Sequence, residues 1–217
     1  MVNIGTLPGE RLAGLSADLF HKLQKGIITL DQLAMFNQLK NPFAIERNEQ
    51  GHVVLTFTGL NLMGAAEIER LEAASYRVSN YAKPCMLSSK EDSYDKHHRL
   101  EADRIYKVAL MPGREIERDS NRTTTNLRDR GMKHYSYGKP LAGLIPRVRE
   151  VLSDKQMEEL GIWYAAALHD PITGSDGIPD VLDANRGGDG RLVGACWDEP
   201  DFRWLGDGAF VFPVSAS

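Results

Sequence analysis

Residues 183–212 read DANRGGDGRLVGACWDEPDFRWLGDGAFVF. Apolar runs frame this stretch: Ile162-Trp163-Tyr164-Ala165-Ala166-Ala167-Leu168 precedes it, and Ala209-Phe210-Val211-Phe212-Pro213-Val214-Ser215 closes it. Both read as strands, the first apolar on both sides as in a buried strand. From 170 to 208 the chain is instead rich in Gly, Asp, Asn, Arg and Pro, with tryptophans at 197 and 204. A loop of this length inside a compact domain is uncommon and usually functional. Its flanking strands would hold its ends close together. The same residues also fit a twisted hairpin closing a sheet, with Trp197 and Trp204 in its core. The two readings combine into one expectation: tryptophans partly structural, the residues between them exposed.

Outward from this segment, residues 8–41 predict two short helices. Leu12, Leu15, Leu19 and Leu23 recur at helical spacing, with Gly26 as the stop. Thr29-Leu30-Asp31-Gln32 is a capping-box pattern ahead of Leu33, Phe36 and Leu39. Asn41-Pro42 ends that helix, because proline disfavours helix in the residue before it. Residues 52–57 and 104–111 predict strands, 63–82 a helix, 88–98 a surface loop and 121–133 a polar helix. Residues 140–152 predict a helix opened by Pro140 and interrupted by Pro146. Ser153-Asp154-Lys155-Gln156 repeats the capping-box pattern. These elements mix helices and strands, with a helical hairpin over 1–48 and a main domain over 49–217.

At 217 residues and 42% hydrophobic content the chain can bury one sizeable core. A net charge of −4 without a basic stripe argues against nucleic acid as a partner. No apolar run approaches the length that spans a bilayer. Residues 1–14, MVNIGTLPGERLAG, lack a basic region followed by an apolar one, so no secretory signal is expected. The expected location is the cytoplasm or a virion. Two lone cysteines, Cys85 and Cys196, cannot build a zinc site or a disulfide framework.

Catalytic patterns are sparse. Ser93-Tyr94-Asp95-Lys96 matches S-x-x-K, which chance readily produces. His97 and His98, beside Asp92 and Asp95, are adjacent and so do not share a helix face or a strand face. His169-Asp170 at a strand end fits a catalytic pair, and better an ordinary satisfied histidine. Asp170, Asp176, Asp180, Asp183 and Asp189 offer oxygen ligands that calcium could use, without the EF-hand spacing. Arg186-Gly187-Gly188-Asp189-Gly190 shares only glycine content with phosphate loops. The chain is therefore expected not to be an enzyme.

The 183–212 segment resembles the C-terminal frame of variable proteins of diversity-generating retroelements. The matching residues are Leu182-Asp183-Ala184-Asn185-Arg186, Gly190-Arg191, Ala195, Trp197-Asp198-Glu199-Pro200-Asp201-Phe202-Arg203-Trp204 and Gly208-Ala209-Phe210-Val211-Phe212. Where the frame tends to carry Asn, this chain has Asp183, Gly194, Phe202 and Leu205. Changes confined to the adenines of an Asn codon reach each of these, and reach Cys196 too; Glu199 lies outside that route. The resemblance implies the α+β class, as a C-type-lectin-like domain of the formylglycine-generating-enzyme type, with a variable region at about 181–208. That enzyme uses paired cysteines, which Cys85 and Cys196 do not match, so its activity does not carry over.

Arg and Trp are enriched at binding hot spots, and a Gly/Asn/Asp-rich frame gives adaptable contacts. The expected ligand-binding face is Asp183, Asn185, Arg191, Gly194, Cys196, Asp198, Glu199, Phe202, Arg203 and Leu205. Its ligand would be a protein or a glycan. The alternatives are a calcium-dependent glycan binder or metal-dependent enzyme using residues 170–189, and a structural component that forms homo-oligomers through the hairpin. No cofactor is expected unless calcium binds.

Overall fold

The computed structural model describes residues 9–37, 45–187, 190–199 and 202–214. The chain divides into two compact units, 1–44 and 45–217. The first contains α1 (Gly9–Gln24) and α2 (Leu30–Asn37). Gly26 joins them at φ +63, a left-handed conformation that glycine adopts without strain. The capping box forms: Gln32 N–H donates to Thr29 Oγ1 at 3.1 Å, and Thr29 N–H to Gln32 Oε1 at 2.9 Å. The ends of both helices expected at 8 and 38–41 lie outside the described residues.

The second unit holds a nine-stranded mixed sheet. Its strands are β1 (Glu46–Arg47), β2 (Val53–Thr58), β3 (Arg77–Val78), β4 (Ile105–Pro112), β5 (Tyr164–Ala166), β6 (Ile172–Thr173), β7 (Pro179–Gly187), β8 (Gly190–Trp197) and β9 (Gly208–Pro213). Their order is β1-β2-β4-β9-β5-β7-β8-β3, with β6 paired to β7. β5 runs parallel to β9 and β3 parallel to β8; the other pairs are antiparallel. The helices are α3 (Gly64–Ala73), α4 (Ala82–Met86), α5 (Tyr94–His97), α6 (Thr124–Asp129), α7 (Leu144–Val151) and α8 (Asp154–Glu159).

Two apolar layers enclose the sheet. On one face Ile68 and Leu71 of α3, Met86 of α4, and Ile145 and Val148 of α7 pack on Val53, Val108, Leu182, Val193 and Val211. The other face carries Ala109, Met111, Ala166, Phe210 and Phe212, covered by Leu127 of α6, Tyr137 and Trp204. These are called the helical and the aromatic face.

Three sequence expectations change. The helix expected over 63–82 ends at Ala73, because Ser75 takes φ +65 and Tyr76 N–H closes back on Leu71 O at 2.9 Å. Tyr76 and Val78 then reach the core as β3 docks on β8. The helix expected over 140–152 begins at Leu144, so Pro146 falls in its first turn, where amide groups lack helical partners and proline is tolerated. The surface loop expected over 88–98 holds α5, with Ser93, Tyr94 and His98 buried. The stretch from 170 to 208 takes the hairpin form of its two expected readings and supplies β6 and the β7–β8 hairpin.

The capping box at Ser153 and Gln156 forms at the start of α8. The polar helix over 121–133 becomes α6 followed by a π-helical turn, Arg130–His134, in which Tyr135 N–H reaches back five residues to Arg130 O at 3.2 Å. Gly131 permits that turn to sit flat on the core, since a Cβ there would lie 2.4 Å from the Phe212 ring.

Candidate functional site

Directly paired residues of an antiparallel ladder share a face, and successive residues alternate. The β7–β8 register therefore puts Val181/Cys196, Asp183/Gly194 and Asn185/Leu192 on the aromatic face. Asp180/Trp197, Leu182/Ala195, Ala184/Val193 and Arg186/Arg191 lie on the helical face. β5 continues the pattern: Tyr164 pairs with Asn185, and Ala166 with Asp183.

Four expected site residues meet here. Asp183 accepts hydrogen bonds from the Asn185 amide and from Cys196 Sγ, the latter at 2.9 Å. Gly194 stands opposite, and a Cβ on it would lie 2.3 Å from Asp183 Oδ1. Burial pushes the Asp183 carboxyl up to about 6, against the pull of the hydrogen bonds from Cys196, Asn185 and the Gly194 N–H. Burial, and then the neighbouring Asp183 carboxylate, also push the Cys196 thiol far up, so the thiol is a donor here and not a nucleophile.

The ten positions do not form one outward surface. Asp183 is 2% exposed and Gly194 is buried. β7 runs inside the sheet between β5 and β8, and Phe202 and Trp204 pack across the aromatic face. Arg191 points to the helical face and donates to Tyr76 Oη at 2.6 Å. Asp198 pairs with Arg128 Nη2 at 3.0 Å, and its N–H donates to Pro179 O at 2.9 Å. Asn185, Cys196 and Phe202 are half-buried, while Glu199, Arg203 and Leu205 are exposed on the connection from β8 to β9. Leu192, half-buried beside Asn185, belongs with them. It went unread because its face depends on the turn that pairs Gly187 with Gly190.

The connection is pinned by its second tryptophan. Trp204 is 2% exposed, with its ring 5.6 Å from Tyr164, 5.4 Å from Phe210 and 4.9 Å from Phe202. Trp204 Nε1 donates to Thr124 Oγ1 at 3.0 Å, and its backbone N–H to Arg122 O at 2.9 Å. The buried Arg122 returns Nη1 to Trp204 O at 3.1 Å and Nε to Gly113 O at 3.1 Å. Trp197, expected to be partly structural, is 47% exposed at the end of β8.

Substitutions should separate these two kinds of position. Gly194→Ala is expected to destabilise by about 1–3 kcal/mol, since its Cβ displaces a held carboxylate. Leu205→Ser and Glu199→Gln should stay within about 0.5 kcal/mol of the parent. Urea unfolding of the three variants checks this; a neutral Gly194→Ala would mean Asp183 is free to move.

Among the other candidates His98 and His169 meet, with ring centroids 4.7 Å apart, while the aspartates are held by separate partners. Asp180 and Asp183 are on opposite faces, Asp170 pairs with Lys139, and Asp176 Oδ1 caps Ile178 N–H at 3.1 Å. Asp189 lies outside the described residues. Among the described residues no group of three or more His, Cys, Asp or Glu side chains could hold a metal. Ser93 is buried and Lys96 pairs with Glu91 at 2.8 Å, so the S-x-x-K match is not assembled.

One polar network escaped the sequence reading because its members come from three separate segments. Buried His52 bonds Glu115 through Nε2 and Tyr137 Oη through Nδ1 at 2.7 Å. Tyr135 Oη and Arg130 Nε donate to Glu115 at 2.6 and 2.8 Å. Burial would raise the Glu115 carboxyl, but the hydrogen bonds from His52, Tyr135 and Arg130 outweigh it and hold the group down at about 2. The network ties the turn before β2 to the π-helical turn.

Together these features define a mixed α/β domain whose C-terminal hairpin and its pinned connection present partly exposed side chains from a rigid sheet. No described helix is long and apolar enough to cross a membrane. In comparisons with known proteins, no family model, curated protein or solved structure matches the chain.

Proposed function

We propose that this chain is a non-catalytic ligand-binding protein, a variable protein of a diversity-generating retroelement. Its second unit is a C-type-lectin-like domain of the formylglycine-generating-enzyme type. Its recognition face comprises Asn185, Leu192, Cys196, Glu199, Phe202, Arg203 and Leu205, and its ligand is a protein or a glycan. The observation that carries the reading is an alternation along one segment. Ala184, Val193, Gly194, Trp204 and residues 208–212 are buried, while Asn185, Leu192, Cys196, Glu199, Phe202, Arg203 and Leu205, set between them, are half-buried or exposed. Such a frame confines the folding free energy to fixed positions and leaves the others free to change at small cost. Recognition commonly sits on segments positioned by a rigid scaffold. Asp183 and Gly194 then serve as the floor of this face, and Arg191 and Asp198 hold the hairpin to its neighbours.

Sequencing the gene and its flanks across isolates tests the proposal. The expected result is variation at codons 185, 196, 202 and 205, constancy at 184, 204, 210 and 212, and a near-copy of the 3′ end beside a reverse-transcriptase gene. A gene that is uniform at the first set, with no such copy nearby, would overturn it.

A further inference from the structure

Away from the hairpin face, a cleft of about 500 Å³ lies between α4 with the chain that follows it and the β6–β7 turn. Its size is in the range of small-molecule sites. Its polar lining residues are Asn80, Lys83, Ser88, Ser89, Lys90 and Ser175, and no carboxylate residue is among the lining. Its apolar lining is Pro84 and Leu87, and Leu87 is 56% exposed.

The cleft is pre-formed, because its two walls are tied. Ser88 Oγ donates to Thr173 O at 2.8 Å, and Lys90 Nζ to Gly174 O at 2.8 Å. Gly174 sits tight against α4, where a Cβ would lie 3.2 Å from Pro84 Cβ. Carboxylates on the same elements are turned toward the backbone: Asp92 accepts from Thr173 N–H at 3.0 Å, and Asp176 from Ile178 N–H at 3.1 Å. An ammonium has three donors. Lys90 spends one on Gly174. Lys83 reaches Glu72 at 2.7 Å in a pair whose side chains are 37% and 46% exposed, which solvent screens. Both retain donors for a ligand.

We propose that this cleft is a second binding site, for a small organic anion. A phosphate or carboxylate is held by Lys83 and Lys90, and a compact apolar body covers Pro84 and Leu87. The site stands independently of the retroelement reading, since none of its residues belongs to the C-terminal frame.

Calorimetric titration of the full chain with three probes tests it: phenyl phosphate, inorganic phosphate and benzyl alcohol. Phenyl phosphate is expected to bind one per chain, about tenfold tighter than inorganic phosphate, and to weaken as salt is added. Benzyl alcohol is expected to give no measurable binding. The Lys83→Gln/Lys90→Gln variant should lose at least about tenfold in phenyl phosphate affinity while remaining folded by circular dichroism, with only a small drop in its unfolding midpoint from loss of the Lys90–Gly174 tie. Leu87→Ser should bring phenyl phosphate down to the level of inorganic phosphate. The proposal is overturned if phenyl phosphate gives no heat at millimolar concentration, if the double lysine variant binds it unchanged, or if benzyl alcohol binds as well.

Discussion

Replacing Trp204 with alanine is expected to lower the free energy of unfolding by about 3–5 kcal/mol. The ring is almost wholly buried between Tyr164, Phe202 and Phe210, so its removal leaves a large hole in the aromatic layer. It also strands Thr124 Oγ1, which loses its partner Nε1. The loss is not only one of packing. The connection from β8 to β9 is tied to the domain through the Trp204 and Arg122 backbones and the Arg122 guanidinium, and these meet where the ring sits. Trp204→Phe, which keeps most of the apolar contact and gives up the Nε1 bond, should cost about 1–3 kcal/mol. Urea unfolding followed by circular dichroism measures both. In Trp204→Ala, cleavage by trypsin after Arg203 should also quicken, because opening of this connection no longer has to expose a core ring. A loss below about 1 kcal/mol in the alanine variant would mean that the ring does not hold the connection in place.

The sequence was most informative where one local rule decided the outcome. The capping boxes at Thr29 and Ser153 form as the spacing of hydroxyl and amide dictates. The strands at β2, β4, β5 and β9 follow from short apolar or alternating runs. It misled where two rules competed. Residues 63–82 carry a helical stripe, yet Tyr76 and Val78 also alternate around Arg77, and docking on β8 prevails over propensity. The segment 170–208 fits both a loop and a hairpin because glycine and aspartate dominate it, and eight pairings along β7 and β8 decide for the hairpin. The candidate site was half legible. Its location and its mixture of fixed and exposed positions could be read, but the face of each side chain could not. That requires the register, and a shift of one residue exchanges the faces. Asp183 and Arg191 were both expected outward, and the register sends them to opposite sides of the sheet. The His52 network could not be read, since its residues become neighbours only in the folded chain.

A second large effect is expected on acidification, and it rests on two buried imidazoles. His169 is fully buried, with Nε2 2.9 Å from Leu182 N and Nδ1 2.6 Å from Asp170 O. Leu182 N–H can only donate, so Nε2 accepts and Nδ1 carries the proton; this is a satisfied neutral histidine rather than half of a catalytic pair. His98 lies alongside, its ring 4.7 Å away, and accepts from Ala142 N–H. Burial lowers His98 to about 4 and His169 to about 3, from 6.5. The unfolded chain therefore binds more protons below pH 6.5, and stability falls with falling pH by up to about 1.4 kcal/mol per unit for each ring. Asp183 works the other way. With its folded value raised to about 6 from 3.8, the folded chain binds the extra proton, so this group adds stability as pH drops through that window. Between pH 6 and 4 the three groups leave a net loss of about 1.4 kcal/mol per unit, and removing the aspartate should double it. Urea unfolding at pH 7, 5.5 and 4.5 is thus expected to show a declining midpoint in the parent and a steeper decline in Asp183→Asn. The His98 and His169 ring resonances should stay at their neutral positions down to about pH 5. An unchanged midpoint across this range, or a decline no steeper in Asp183→Asn, would show that these groups do not carry the burial their positions imply.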